Sequence, residues 1–320
     1  MSYGTPAGAG DIEAYYTHIR RGRRPTEAQI QELKSRYAAI GGSSPLLQIC
    51  RAQAESLQLI LDADPSARFQ VELGMKHSPP FIEEGVQRLI ERGVRTAVGL
   101  VLAPHYSSLS IGEYISRASA AAGSRIELSF VSEWHLMPAY ISLLASRVRE
   151  AMRLLQSTRM QGHGGGANRR GEAIGRARGD DGEIAVVFTA HSLPRRILAL
   201  EDPYPAQLLE TAEAVAREAG LSSFTTAWQS AGRTGEQWLG PDIGEVIRSL
   251  SAGGCEGVIV CPAGFTADHL EVLYDLDVEC ARLAAQLSLM WRRTRSLNAD
   301  PVLMAGLAKL VRDRVPAGVR

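Results

Sequence analysis

The chain has 320 residues, carries no net formal charge, and is 45% hydrophobic and 22% charged. These proportions are ordinary for a globular protein, and with no net charge nothing in the overall composition points to a nucleic-acid or acidic membrane partner. The longest apolar stretches are no longer than strands, and no secretory pattern opens the chain. We therefore expect a monomeric, cytoplasmic protein of one large or two smaller domains, with no nucleic-acid partner and no stable membrane insertion.

Short apolar runs rich in β-branched residues alternate with amphipathic stretches. This alternation is typical of α/β proteins, in which helices cover both faces of a parallel sheet. The predicted strands are residues 70–73, 96–102, 126–131, 184–189, 224–228 and 257–261. The predicted helices are residues 11–20, 27–40, 45–62, 81–92, 110–122, 138–157, 204–220, 242–252, 270–287 and 301–315.

The predicted elements divide into two halves. An N-terminal half covers residues 1–150, and a C-terminal half covers 183–300 and is followed by a helix in 301–320. Residues 161–182 are rich in Gly and Arg and almost free of apolar side chains, which predicts a flexible loop. Its glycine run is not expected to bind phosphate, because no strand leads directly into it.

A histidine, His191, follows the predicted strand 184–189, and Pro194 ends the turn after it. Ligands of open parallel sheets bind at the carboxyl ends of the strands. Neutral imidazole is a metal ligand and a base near pH 7. A histidine that only caps the strand end is an equally good interpretation, and the same choice applies to His77 after residues 70–73.

Three carboxylates, Glu271, Asp275 and Glu279, stand at i, i+4 and i+8 after the predicted strand 257–261. That spacing places them in one row on a helix. A solvated helix face is the common explanation of such a row. Here no Lys or Arg within the row offsets the like charges, and carboxylates with an imidazole suit a divalent metal such as Fe(II).

Basic residues cluster near two predicted helix ends. Arg20 and its neighbours end one helix, and Arg36 with Tyr37 ends the next, just before a Gly-Gly-Ser-Ser-Pro turn that contains Ser44. Arginine binds carboxylates through two parallel hydrogen bonds. The alternative is a solvated surface that complements the helix dipole.

The four cysteines are scattered and form no C-x-x-C pair. This pattern predicts buried free thiols and neither a zinc ribbon nor an iron–sulfur cluster.

Several ordered motifs together resemble the ferrochelatase family, and most closely its coproporphyrin branch from Gram-positive bacteria. The resemblance extends from Ser2 to the C-terminal helix. The matching segments are Ser2-Tyr3-Gly4-Thr5-Pro6, residues 15–22, 41–46 and 102–107, Ala190-His191-Ser192-Leu193-Pro194, Trp238-Leu239-Gly240-Pro241, and residues 268–275.

The resemblance implies two Rossmann-like, chelatase-type halves that flank a porphyrin cleft, and insertion of Fe(II) into coproporphyrin III during haem synthesis. It implies that Fe(II) is a substrate and that no resident cofactor is required. By the same resemblance, a neutral His191 and Glu271 handle metal and protons. Asp275 and Glu279 then form the metal's path, and the porphyrin contacts are Tyr3, Arg20, Arg36, Tyr37, Ser44 and Tyr114.

The sequence departs from the family at its start, because the hydrophobic strand expected before the Tyr3 turn is not present. We therefore expect Tyr3 to lie on a frayed end. Either Met1 is an internal methionine of a longer chain or the protein is a truncated homologue. A porphyrin or haem carrier without turnover, and a cobalt chelatase for another tetrapyrrole, remain alternatives.

Overall fold

The computed structural model describes residues 1–63, 68–162, 184–232 and 234–315, and it confirms the α/β class with two parallel-sheet regions. The N-terminal half contains α1 (Ile12–Ile19), α2 (Glu27–Ala39), α3 (Leu46–Asp62), α4 (Ile82–Glu91), β1 (Thr96–Leu100), α5 (Ile111–Ala122), β2 (Glu127–Val131) and α6 (Pro138–Gly162). The C-terminal half contains β3 (Ile184–His191), α7 (Tyr204–Ala219), β4 (Thr225–Gln229), α8 (Ile243–Ala252), β5 (Gly257–Cys261), a π-helical segment (Val272–Cys280), α9 (Ala281–Gln286), β6 (Met290–Arg293) and α10 (Pro301–Arg314).

The second sheet has the strand order β4-β3-β5-β6, and all of its pairs are parallel. The register places His191 opposite Gln229 and Val260 opposite Arg293. Because the strands are parallel, their carboxyl ends meet at one edge of the sheet. The last residues of β3, β4 and β6 therefore lie along the edge at which a ligand site is expected.

Among the described residues, the ladder of the first sheet joins β1 and β2 only, so the strand predicted at residues 70–73 is wrong. Side chains occupy the backbone groups that a ladder would use. The Val71 N–H donates to Oε1 of Gln58 at 2.7 Å, and Arg88 donates to the Leu73 carbonyl oxygen at 3.1 Å. A segment whose backbone bonds go to side chains has fewer groups left for a neighbouring strand.

Residues 1–3 are bonded on both sides, so the prediction that Tyr3 lies on a frayed end is wrong. One side contacts the end of β1, and the other contacts residues 74–77. The bonds, each named from donor to acceptor, are Met1 N to Leu100 O at 2.6 Å, Leu102 N to Met1 O at 2.9 Å, Ser2 N to Gly74 O at 3.1 Å, Lys76 N to Ser2 O at 2.9 Å and His77 N to Tyr3 O at 2.9 Å.

The two halves exchange helices. Helix α6 packs on α7, β5 and β6, whereas α10 packs on α3, α6 and the first sheet. Asp300 caps α10 by accepting the Val302 N–H at 2.9 Å, and it also accepts a bond from Arg147 of α6 at 2.8 Å. Leu307 is fully buried, and burial of one such side chain contributes about 1.5–3 kcal/mol. The shared core fixes the two halves relative to each other.

The predicted loop at 161–182 lies outside the described residues except for its first two, which end α6. The last predicted helix is confirmed as α10, while residues 316–320 lie outside the described range. Within the described ranges, no helix combines the length and the apolar character needed to cross a bilayer.

Candidate active site

A cleft of about 1870 Å³ opens between the two halves. Residues from both halves form its wall, so the cleft exists only when the two sheets are assembled as described above. Most of the predicted site residues lie in this wall, namely Tyr3, Arg20, Arg36, Tyr37, Ser44, Tyr114, His191 and Glu271.

His191 and Glu271 meet at the inner end of the cleft. Nε2 of His191 lies 3.5 Å from Oε1 of Glu271, and the side chains are 34% and 29% exposed. His191 is the last residue of β3, and Nδ1 of its ring donates to the carbonyl oxygen of Ser192. This bond fixes the ring and leaves Nε2 for Glu271. The Tyr204 hydroxyl donates to the His191 carbonyl oxygen at 3.0 Å, which ties this strand end to α7.

The pair carries opposite charges. Burial lowers the pKa of His191, but the charge of Glu271, its hydrogen bond and the Ser192 carbonyl outweigh burial and raise the pKa to about 9. Burial raises the pKa of Glu271, but its bonds to His191 and His269 outweigh burial and hold the pKa below its usual range. This raised pKa favours the protonated imidazole near pH 7, and the neutral His191 that the proposed chemistry needs stays a prediction.

A second imidazole contacts the same carboxylate. Nε2 of His269 lies 3.5 Å from Oε2 of Glu271, and Nδ1 of His269 lies 3.0 Å from the Ala267 carbonyl oxygen. Glu271 thus stands between two histidines, one from each neighbouring strand end. His269 was not predicted as a site residue, although its place two residues before Glu271 in the same strand-end turn could have indicated it.

The acidic row lies on a helix of unusual type. The predicted helix over 270–287 is confirmed, but its central residues Val272–Cys280 follow the π pattern of i to i+5 bonds. The row nevertheless stays together. Glu271 faces the cleft, Asp275 is buried at 7% exposure, and Glu279 is exposed, so the three carboxylates extend from the cleft to the surface.

Asp275 is the buried middle of the row. The Ser230 hydroxyl donates to its Oδ2, while Oδ1 has no hydrogen-bond partner in the described structure. Nη2 of Arg36 is 3.9 Å from Oδ1. Burial, followed by the nearby charge of Glu271, raises the pKa of Asp275 to about 6. An under-coordinated buried carboxylate favours an approaching cation.

The four predicted metal residues are spread along a path. Within the part of the chain that the structure describes, no three His, Cys, Asp or Glu side chains lie close enough to enclose one ion. His191 and Glu271 stand at the inner end of this path, and Glu279 stands at its outer end.

Basic and aromatic side chains stand around the cleft. The Arg36 guanidinium lies over the Tyr274 ring at 4.9 Å, and Arg20 lies over Tyr16 at 5.6 Å. Nζ of Lys76 lies 2.5 Å from Oε2 of Glu113. Arg20 and Arg36, each held over an aromatic ring, are suited to a planar ligand that carries carboxylates, whereas Lys76 is already paired with Glu113.

Tyr3 is 40% exposed in the cleft and packs on the His77 ring at 4.6 Å. Nδ1 of His77 lies 3.0 Å from Nδ1 of His18, a pair that the sequence analysis missed. Burial, followed by the charges of Lys76 and His18, lowers the pKa of His77 to about 3. His77 is therefore neutral at physiological pH, and the cationic neighbours disfavour a metal there.

The family model described as Ferrochelatase matches residues 1–315. A protein of Anoxybacillus flavithermus named coproporphyrin III ferrochelatase is 41% identical over 97% of this chain and 93% of its own length. A protein of the same name from Geobacillus thermodenitrificans is 40% identical over 98% of this chain and 94% of its own length. A protein of Herpetosiphon aurantiacus named ferrochelatase is 37% identical over 97% of this chain and 96% of its own length.

Solved structures of low sequence identity share the fold. SirB from Bacillus subtilis with Fe3+ has a TM-score of 0.50 and 13% identity, with coverage of 83% of this chain and 89% of SirB. CbiX, described as the terminal enzyme of sirohaem biosynthesis in denitrifying bacteria, also has a TM-score of 0.50 and 13% identity, with coverage of 85% and 94%. These likenesses bear on the fold alone.

Proposed function

The chain belongs to the ferrochelatase family, and we propose that it is an enzyme that inserts Fe(II) into coproporphyrin III during haem biosynthesis. The observation that carries the proposal is the His191–Glu271 pair at the inner end of a cleft that both halves line. A flat macrocycle held in this cleft presents its central nitrogens to a group that can exchange protons and touch a metal.

Metal insertion removes two N–H protons from the porphyrin and brings Fe(II) to its nitrogens. Because His191 holds a proton near pH 7, it must pass that proton on before it accepts one from the porphyrin. Glu271 contacts both His191 and His269 in the cleft wall, so the proton of His191 and then the two porphyrin protons can leave one at a time through this carboxylate to water. Once His191 has given up its proton, the pair supplies proton transfer and two ligands for the incoming metal.

The acidic row is the proposed route of the iron. Glu279 is exposed, Asp275 is buried and Glu271 lies at the cleft, so each carboxylate can pass a hydrated cation inward. Fe(II) is the substrate of this route, and no resident cofactor and no iron–sulfur cluster takes part in the proposed reaction.

The remaining cleft residues are the proposed porphyrin contacts. Arg20 and Arg36 bind ligand carboxylates, and Ser44 and Tyr37 supply hydrogen bonds nearby. Tyr3 and Tyr114 stand in the wall of the cleft. Tyr3 is exposed in the cleft and its phenol is protonated near pH 7, so the hydroxyl can face the macrocycle.

The proposal extends to a monomer that works in the cytoplasm. The alternative of a carrier without turnover rested on a loose first segment. Residues 1–3 are bonded on both sides, so the structure removes that reason. A cobalt chelatase is the second alternative. Rates of insertion of Co(II) and of Fe(II) into coproporphyrin III and into other tetrapyrroles distinguish it from the proposed enzyme.

The test is anaerobic insertion of Fe(II) into coproporphyrin III by the purified chain. We expect Glu271→Gln and His191→Ala each to lower kcat by about 10² to 10⁴, the usual worth of a positioned acid–base group. The matched control is Glu210→Gln, because Glu210 bonds His135 at 2.8 Å outside the cleft wall described above. Equal rates for the parent and the two cleft variants would refute the roles assigned to His191 and Glu271. Absence of insertion by the parent would refute the proposed function.

A further inference from the structure

Arg293, at the end of β6, makes five polar contacts with its side chain only 13% exposed. Nε and Nη2 donate in parallel to Oδ1 and Oδ2 of Asp277 at 2.7 and 2.8 Å. Nη1 lies 3.2 Å from Oδ1 of Asp268, and it donates to Ser296 Oγ at 3.0 Å and to the Thr294 carbonyl at 3.1 Å. The guanidinium therefore contacts two carboxylates on two different stretches of chain.

The Asp268 end of this arrangement is fixed further. Its carboxylate accepts from Ser296 Oγ at 2.6 Å and from Asn298 Nδ2 at 3.0 Å. The Asp268 N–H donates to Asn298 Oδ1 at 2.9 Å, and the Asn298 N–H donates to the Thr266 carbonyl at 2.7 Å. The turn that leads to Glu271 is thus joined to the loop that follows β6.

The two carboxylates that Arg293 binds stand on either side of Glu271 in the chain. Asp268 precedes Glu271 in the strand-end turn, and Asp277 follows it within the π-helical segment. Arg293 is not among the described residues that line the cleft. It therefore holds the segment that carries Glu271 from behind, without contact to a ligand in the cleft.

We infer that Arg293 is a positioning residue that sets Glu271 opposite His191, an inference that rests on the proposed metal insertion. His191 is placed by β3, whereas Glu271 is placed by a helix whose π geometry departs from the common α pattern. Arg293 connects that helix to β6, which belongs to the same sheet as β3. The planar fork suits this role because it fixes distance and direction together, which a single ammonium does not.

The separation in the pair explains why such support matters. At 3.5 Å, the Nε2–Oε1 distance already exceeds the usual 2.7–2.9 Å of a charge-assisted hydrogen bond. A further shift of about 1 Å would break the contact, and misplacement of that size costs on the order of 10² in rate.

The first experiment compares Arg293→Gln and Arg293→Lys with the parent in Fe(II) insertion and in coproporphyrin III binding followed by absorbance. We expect kcat to fall by about tenfold or more in both variants, with porphyrin Kd within about twofold of the parent. The matched control is Arg295→Gln, because Arg295 pairs with Glu150 on α6 at 2.9 Å and should leave both values unchanged. Full rescue of kcat by lysine, or an equal loss in Arg295→Gln, overturns the inference.

The second experiment repeats Arg293→Gln in the Glu271→Gln background. If Arg293 acts through Glu271, the second substitution changes kcat by less than about twofold there. The same fold loss in both backgrounds overturns the inference, since Arg293 would then act on something else.

A crystal structure of metal-free Arg293→Gln gives a readout that does not depend on activity. We expect the Nε2–Oε1 separation to widen, and an unchanged separation overturns the inference. If Arg293→Gln does not fold, Asp277→Asn takes its place in every measurement, because it removes one carboxylate charge and keeps the contacts of Arg293 with Asp268. No insertion by the parent refutes the proposed function, whereas an active parent with an equally active Arg293→Gln refutes only the positioning role.

Discussion

Nε2 of His191 lies 3.5 Å from Oε1 of Glu271, so the end of β3 and the start of the helix after the neighbouring strand β5 share one charge pair. The pair couples the protonation of His191 to the position of Glu271. Any group that neutralises or displaces the carboxylate, an incoming cation included, lowers the affinity of the imidazole for its proton. We therefore expect His191 to bind its proton less tightly whenever the charge of Glu271 is neutralised.

The titration of His191 is the first prediction. We expect the metal-free parent to show a His191 pKa of about 9 in NMR titration of the ring protons. In Glu271→Gln the pKa should fall to its ordinary value or below, because burial remains while the compensating charge is gone. A His191 pKa that is the same in both proteins would contradict the charge pair.

The same shift predicts how stability depends on pH. The folded pKa of His191 is raised above the ordinary 6.5, so its contribution to stability is complete below about pH 6.5 and is lost as pH rises through about 9. The free energy of unfolding of the parent should therefore exceed that of Glu271→Gln most at the acid end of this window. Urea unfolding at several pH values measures the difference, and a gap that widens with pH would have the wrong sign.

The acidic row makes a prediction about the metal and not about the porphyrin. Asp275→Asn and Glu279→Gln should raise the KM for Fe(II) by about three- to tenfold, because each removes one carboxylate from the path. The KM for coproporphyrin III should stay within about twofold. The control is Glu91→Gln, an exposed carboxylate on α4 outside the described cleft wall. A parallel rise in both KM values would mean that the row shapes the cleft and does not conduct metal.

His105 predicts an acid-sensitive contact between the halves. It is 2% exposed, its Nε2 lies 2.9 Å from Thr211 Oγ1 on α7, and burial followed by the charge of His135 lowers its pKa to about 3. The neutral form is therefore favoured by folding, so this contribution is present above about pH 6.5 and is lost as pH falls toward 3.

We expect His105→Gln to flatten the loss of unfolding free energy with acid by up to about 1.4 kcal/mol per pH unit. Chemical denaturation of both proteins between about pH 7 and pH 4.5 measures this slope. Identical slopes would show that His105 does not contribute to acid sensitivity.

The two contacts of Asp300 predict how much the packing of α10 against α6 contributes to the free energy of unfolding. It caps α10 and pairs with Arg147, and both side chains are largely buried, at 17% and 14% exposure. Asp300→Ala should lower the free energy of unfolding by about 2–4 kcal/mol, since it removes a cap and leaves a buried guanidinium without this partner. Asp313→Asn, which breaks an exposed pair with Lys309 on the same helix, should cost less than about 0.5 kcal/mol. Equal losses in urea unfolding would contradict the role of Asp300.

The sequence by itself determined the order and type of most elements, because periodicity and turn chemistry are local properties. The predicted strand 184–189, the histidine after it and the carboxylate row were all readable in this way, and family membership followed from ordered motifs. Strand β6 was missed because Met290–Arg293 is short and half polar, and its identity as a strand comes from pairing with β5.

Only the tertiary structure decided which of these groups meet and in what state of charge. Whether His191 reaches Glu271 depends on the strand order β4-β3-β5-β6, which sequence periodicity does not encode. The protonated state of His191 depends on burial weighed against one nearby carboxylate, and both follow from packing. The role of Arg293 could not be predicted from the sequence for the same reason, since Asp268 and Asp277 contact it only when the helix packs beside β6.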